Sequence, residues 1–276
     1  MLTPKNAVEV TIVARLGDNP HYQGSIHDDA GARKFGYERA LVPGAFIYGY
    51  ISRLAVATWE RDWLRSGTIS SHSRKPVFDG ERLTLHASAL DDDGMGLRSD
   101  VVVRNSKGED VASGFVALPH QPPSPPSIAD YTVVPMAETA PFVDAGAMRI
   151  GDPIFSNEAV FTSEEHRTSL ADFGETWPDY VSDGIVHAGY LMRRSVGDGV
   201  RSYSHPTPGI YVRGHGQYFD IAHVGDRLVT AGRVVDVYGH KGNHYYDSDQ
   251  ILIANGERVI ARFRRSSIYA VRRNVA

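Results

Sequence analysis

Leu41-Val42-Pro43-Gly44-Ala45-Phe46-Ile47-Tyr48-Gly49-Tyr50-Ile51 opens a stretch that runs on to about Leu64 and decides the fold. Pro43 and Gly44 suit the first turn of a helix, because proline presets φ and has no N–H to leave unpaired. The residues through Ile51 are apolar almost all round, which predicts a helix whose first half is buried. Leu54, Ala57, Trp59 and Trp63 continue a narrower apolar stripe, while Arg53, Glu60, Arg61 and Asp62 bring in solvent. About 20 helical residues span roughly 30 Å, the width of a small domain. Charges interrupt the run well short of the roughly 18 apolar residues a membrane span needs. Strand-like segments lie before and after it. One long buried helix wrapped by an antiparallel sheet is the economical reading.

The bulk composition narrows the function. With 276 residues, the chain can hold two domains or one large one. Its hydrophobic and charged fractions, 42% and 22%, are those of a globular protein. A net charge of −4 argues against a nucleic-acid partner, which needs a basic face. The absence of cysteine excludes disulfides, thiolate nucleophiles and cysteine metal sites. No basic segment followed by an apolar run stands at the N-terminus, so the expectation is a cytoplasmic protein with no membrane partner.

Working outward, Val8 to Arg15 reads as a first strand, ended by the turn residues Gly17-Asp18-Asn19-Pro20. Asp28 or Asp29 can cap a short helix, Ala30 to Phe35, which Gly36 stops. After the long helix, Ser70–Phe78, Arg82–Leu90, Leu97–Asn105 and Val111–Leu118 read as strands. Asp79-Gly80, Asp93-Gly94 and Lys107-Gly108 punctuate them as turns. Pro119 to Pro126 is an extended, proline-rich segment, which predicts domains at 1–118 and 151–276 with a linker at 119–150.

The second half repeats the first. Gly44 recurs as Gly189, and Gly80-Glu81-Arg82-Leu83 recurs as Gly225-Asp226-Arg227-Leu228, both about 145 residues on; Gly108 recurs as Gly256 at almost the same spacing. Three anchors in one order argue for a duplicated domain. Here Pro153–Phe161 is the entry strand, and Thr162 or Ser163 caps a helix to Phe173, with Glu164 and Glu165 in its first turn. A second central helix starts near His187 and should be short, because Gly197 and Gly199 break it. Ile210–Phe219, Arg227–Tyr238, His244–Ala254 and Val259–Tyr269 complete the strands.

An entry strand, a loop, a buried helix started by Pro-Gly and four antiparallel strands resemble the hotdog fold. Two in tandem resemble the α+β double hotdog of the MaoC-like hydratases and dehydratases. The likeness rests on Gly36-Tyr37-Glu38-Arg39-Ala40-Leu41-Val42-Pro43-Gly44 and on Asp183-Gly184-Ile185-Val186-His187-Ala188-Gly189-Tyr190-Leu191, with Val237 to Gly242 resembling the last hairpin. The resemblance implies an acyl-thioester substrate such as enoyl-CoA, no cofactor, and general acid–base chemistry by an Asp and a His in the loop before the helix.

This sequence departs from that pattern in both halves. Gly17-Asp18-Asn19-Pro20-His21-Tyr22 lacks one residue between Asp and Asn. Gly174-Glu175-Thr176-Trp177-Pro178-Asp179-Tyr180 has Glu for Asp, Trp for Asn and Tyr for His. Counting back from Pro43-Gly44 instead puts His27 near the family His and Tyr22 near the Asp. The tandem dehydratase domains of polyketide synthases are a further relative; His187 matches their His, but their Asp position falls on Met192.

The catalytic candidates are His187, at a helix start whose N–H groups could polarise a thioester carbonyl, His27, and the pair Glu175 and Tyr180 as base and donor. Asp18 and His21 suit a turn better. Gly44 and Gly189 would let a ligand approach the helix starts, and Tyr48 and Tyr22 would line the acyl site. His240 and His244 flank a glycine hairpin and make no metal site. The basic run Arg262, Arg264, Arg265, Arg272 and Arg273 could anchor the phosphates of coenzyme A. Two readings stand: a hydro-lyase on acyl thioesters, with a thioesterase as its near variant, or an acyl-binding protein without turnover. A homodimer is compatible with either.

Overall fold

The structure, a computed structural model, describes residues 1–3, 5–17, 19 and 22–271. The first half runs β1 (Val8–Val13), α1 (Asp29–Lys34), α2 (Gly44–Ser66), β2 (Thr68–Ser73), β3 (Arg82–Ala87), β4 (Asp91–Asp92), β5 (Gly96–Asn105) and β6 (Asp110–Pro119). The second runs β7 (Val134–Pro135), β8 (Pro153–Ser156), β9 (Ala159–Val160), α3 (Ser163–Phe173), α4 (Pro178–Ser182), α5 (Ala188–Ser202), β10 (Ile210–Tyr218), β11 (Arg227–His240), β12 (Asn243–Ala254) and β13 (Arg258–Ala270). The strands form one sheet in the order β1-β3-β5-β6-β2-β10-β13-β12-β11-β8-β7, with β4 beside β5 and β9 beside β11. The two halves meet where β2 pairs antiparallel with β10, from Thr68–Gln217 to His72–Arg213.

Period-two burial fixes which face holds the helices. Leu83, Leu85 and Ala87 of β3 are buried, as are Tyr211, Gly214, Gly216 and Tyr218 of β10. This inner face packs on α2 and α5, which cross side by side. Gly49 and Gly189 make the crossing possible: a Cβ on Gly189 would lie 2.7 Å from the Cα of Gly49 and 2.6 Å from the Phe173 ring. The repeated glycines have a backbone reason. Gly80 and Gly225 have φ of 76° and 94°, and Gly108 and Gly256 have 76° and 77°, all in the left-handed region that favours glycine.

Several local expectations change. The entry strand of the second half is two pieces, β8 and β9, and a further one-turn helix, α4, follows α3. The proline-rich stretch is followed by β7, which pairs parallel to β8. Helix α2 runs on to Ser66, with a break at Glu60 (φ 51°). Gly197 and Gly199 do not shorten α5, which runs through both for 15 residues. Gly199 serves packing instead: a Cβ there would fall 1.6 Å from a guanidinium nitrogen of buried Arg265.

Candidate active site at the start of the first central helix

A cleft of about 800 Å³ opens at the start of α2. Ile26, Leu41, Val42 and Ile47 give it an apolar wall, and Val196 and Val200 of α5 close the far side. Gly44 and Ala45 line it, so the N–H groups left without helical partners in a first turn lie at its wall. Gly44 is required here by packing as well, since a Cβ would lie 2.4 Å from the Tyr211 ring. Ser73 also lines the cleft, and its buried hydroxyl has no hydrogen-bond partner among the described residues.

His27 is placed on this cleft by the loop before α1. Asp28 caps α1 by accepting from the Ala30 N–H at 3.0 Å, which fixes the chain next to His27. The ring Nδ1 of His27 lies 2.7 Å from the Leu41 carbonyl. A carbonyl only accepts, so Nδ1 carries the proton and Nε2 keeps its lone pair. Burial lowers the pKa of His27 below the ordinary 6.5, and the bond to Leu41 opposes this only in part. The imidazole is therefore neutral at pH 7, with a basic nitrogen. Tyr22 lies beside it, ring centroids 5.2 Å apart. Burial raises the phenol pKa of Tyr22, with Arg193 lowering it and Asp172 raising it. The two residues reached by counting back from Pro43-Gly44 are thus in contact. Asp18 and His21, the other register, lie outside the described residues.

The second-half candidates also come together, but away from the cleft. His187 caps α5: its Nδ1 accepts from the Gly189 N–H at 3.1 Å. Its Nε2 lies 3.5 Å from Glu175 Oε2. Phe173 stacks on one face at 4.3 Å, and the Tyr180 ring lies 5.0 Å away. His187 is 0% exposed and the Glu175 side chain 4%. Burial lowers the pKa of His187, against the pull of Glu175. Burial would raise that of Glu175, but His187, Arg53 and the Trp177 N–H outweigh it and bring it to about 2. Burial pushes Tyr180 well above its ordinary value. None of the three lines this cleft; they form a buried polar contact between α3, α4 and α5.

Two of the substrate-binding candidates, Gly189 and Tyr48, also lie away from this cleft. Gly189 stands at the helix crossing, against Gly49 and Phe173. Tyr48 is fully buried, with its hydroxyl 2.9 Å from that of Tyr218, between α2 and the sheet. Two members of the basic C-terminal run, Arg262 and Arg265, are committed to structure. Arg262 grips Asp249 with two bonds of 2.8 and 2.6 Å, and buried Arg265 donates to Gln250, Tyr246 and Ser267. Arg272 and Arg273 lie outside the described residues.

No family model matches the chain, and no curated protein matches it. Solved structures do. One from Mycobacterium tuberculosis, described as having a double hotdog fold, is 13% identical at a TM-score of 0.63, covering 97% of this chain and 96% of that one. The fold is a double hotdog. A MaoC domain protein dehydratase from Chloroflexus aurantiacus is 14% identical at a TM-score of 0.61, covering 97% and 96%. A 12:0-ACP thioesterase from Umbellularia californica is similar at 9% identity and a TM-score of 0.51, covering 95% and 93%. In this double hotdog, the 800 Å³ cleft lies at the helix start of the first half. Sequence reasoning missed Ser73 altogether; a lone serine on a strand carries no signal.

Proposed function

We propose that the cleft at Gly44 binds an acyl thioester and that the protein hydrates or dehydrates it, with His27 as the acid–base group. The observation that supports this most directly is a neutral histidine on an apolar cleft, its Nδ1–H held by Leu41, beside the first turn of a buried helix. In the hydration direction, Nε2 of His27 takes a proton from water as the oxygen attacks the β-carbon of an enoyl thioester. The electron pair moves onto the thioester oxygen, where the N–H groups at Gly44 and Ala45 stabilise the charge. His27 then returns its proton to the α-carbon, so one group serves as base and then acid. Tyr22 steadies the ring of His27 by contact. The catalytic roles carried over for Glu175, Tyr180 and His187 become structural ones in this reading.

A second reading has a specific support. No carboxylate lines the cleft among the described residues, and the position near the family Asp holds Tyr22, whose raised phenol pKa keeps it protonated and so unable to act as the base. That favours either an acyl-binding protein or a slow enzyme. It also weighs against a thioesterase that needs a carboxylate to activate water. The test is loss of enoyl-thioester absorbance on incubation with the protein across short, medium, branched and aromatic chains. No loss with any of them, together with saturable binding, supports the binding protein and rejects the hydro-lyase.

A further inference from the structure

The cleft is larger than an acyl group requires, and its outer half has a different chemistry. There it runs between the end of β2 and the hairpin joining β11 to β12. Arg74, Lys75, Arg213 and Lys241 line it, and no Asp or Glu does among the described residues. In a chain of net charge −4, four cations on one cleft are a local concentration of the opposite sign. Lys75 and Arg213 have outside partners, Glu109 at 2.7 Å and Asp247 at 3.3 Å. Arg74 and Lys241 are exposed and have no ion pair among the described residues.

An aromatic platform stands on the same hairpin. The rings of Tyr238 and Tyr245 pair across β11 and β12, with centroids 5.0 Å apart and planes at 8°. Both line the cleft and are half-buried. The Tyr238 hydroxyl donates to Asp247 at 3.3 Å, which fixes that ring. The hairpin is closed by Lys241 and Gly242, with φ of 51° and 83°. That is the two-residue turn that matches strand twist, so Lys241 is held at the tip of a rigid element and not on a loose loop.

Cations answer phosphate, and a flat aromatic face answers a purine. We propose that this outer half is a nucleotide subsite, in which Arg74, Lys75, Arg213 and Lys241 hold the phosphates of coenzyme A and the Tyr238–Tyr245 pair stacks on its adenine. The carrier is then free coenzyme A and not a pantetheine arm on a protein. The inference builds on the acyl-thioester reading of the inner half, but the nucleotide half can be tested by itself.

The experiment titrates the full chain with 3′,5′-ADP by calorimetry, at low and at high salt. Saturable binding that weakens with salt is expected. Arg74→Glu and Lys241→Glu, both at exposed sites, should each weaken it by about tenfold or more. Tyr245→Ala should weaken 3′,5′-ADP but leave pyrophosphate unchanged. Equal binding of the two by the unaltered protein, or no effect of any substitution, overturns the inference. A second arm compares an acyl-CoA with the same acyl-pantetheine. The CoA ester should have the higher kcat/KM, and the two charge reversals should remove that advantage while sparing the pantetheine ester. Equal rates for the two esters, or preference for an acyl carrier protein, overturn the subsite and leave the thioester reading standing. Binding of 3′,5′-ADP with no turnover of any thioester does the reverse.

Discussion

Nε2 of His187 lies 3.5 Å from Oε2 of Glu175, in a site that solvent does not reach. Its other nitrogen is committed to the Gly189 N–H, and Phe173 covers one ring face. If the chemistry lies at His27, as proposed, a group so enclosed serves to support the helix start. His187→Ala should lose the cap and leave a cavity, costing about 2–4 kcal/mol in urea unfolding. Turnover per folded molecule should stay within about twofold. A loss of turnover beyond that, at unchanged stability, contradicts this assignment.

The same pair sets a pH dependence of stability. Burial holds the His187 pKa below its ordinary 6.5, and Glu175 is held at about 2 against 4.5 when unfolded. Both groups bind fewer protons folded than unfolded. Their contribution is therefore complete above about pH 6.5 and is lost as the pH falls, first through His187 and then, below about 4.5, through Glu175. Thermal unfolding of Glu175→Gln across this range should lack the lower part of the fall. A variant curve parallel to that of the unaltered protein down to pH 3 contradicts the assignment of that part of the fall to Glu175.

Two glycines of α5 should respond in opposite directions. A Cβ at Gly197 meets nothing closer than the Arg201 side chain at 3.8 Å, so Gly197→Ala gains helix propensity and should stabilise by about 0.5–1 kcal/mol. A Cβ at Gly199 would fall on the Arg265 guanidinium, which is fully buried and cannot withdraw. Gly199→Ala should destabilise by about 1–3 kcal/mol. Chemical denaturation of the two variants side by side decides it, and a shift of the same sign in both counts against the packing role of Gly199.

The acid limb of the activity profile reports His27. Its pKa lies below 6.5 because burial disfavours the imidazolium. As base, it works while neutral, so kcat/KM for hydration should hold steady as pH falls to 6.5 and drop only below that. A midpoint above 6.5 would mean a carboxylate or anionic substrate group beside the ring and would contradict the neutral-histidine site.

Much of this was legible in the sequence. The buried helix, the caps at Asp28 and Thr162 and the paired turn glycines at 80 and 225 each follow from local chemistry, which neighbours distant in sequence do not alter. The choice between His27 and His187 was not legible. Both precede a helix start, and in the proposed assignment what separates them is whether other elements cover them. For His187 the cover comes from Phe173 at the end of α3 and Tyr180 in α4, a one-turn helix with too few residues to show a period. Gly199 looked like a helix breaker because its reason, the Arg265 side chain, comes from a strand 66 residues away. The basic C-terminal run looked like a phosphate anchor because its partners, Asp249 and Gln250, belong to the neighbouring strand.

The most direct measurement is enoyl-CoA hydration by the unaltered protein, His27→Gln and His187→Gln, followed by absorbance and corrected for folded fraction. The account predicts a loss of about 100-fold or more in kcat for His27→Gln and near-normal turnover for His187→Gln. Normal turnover in His27→Gln, with the loss in His187→Gln, would move the active site to the second helix start and contradict the account.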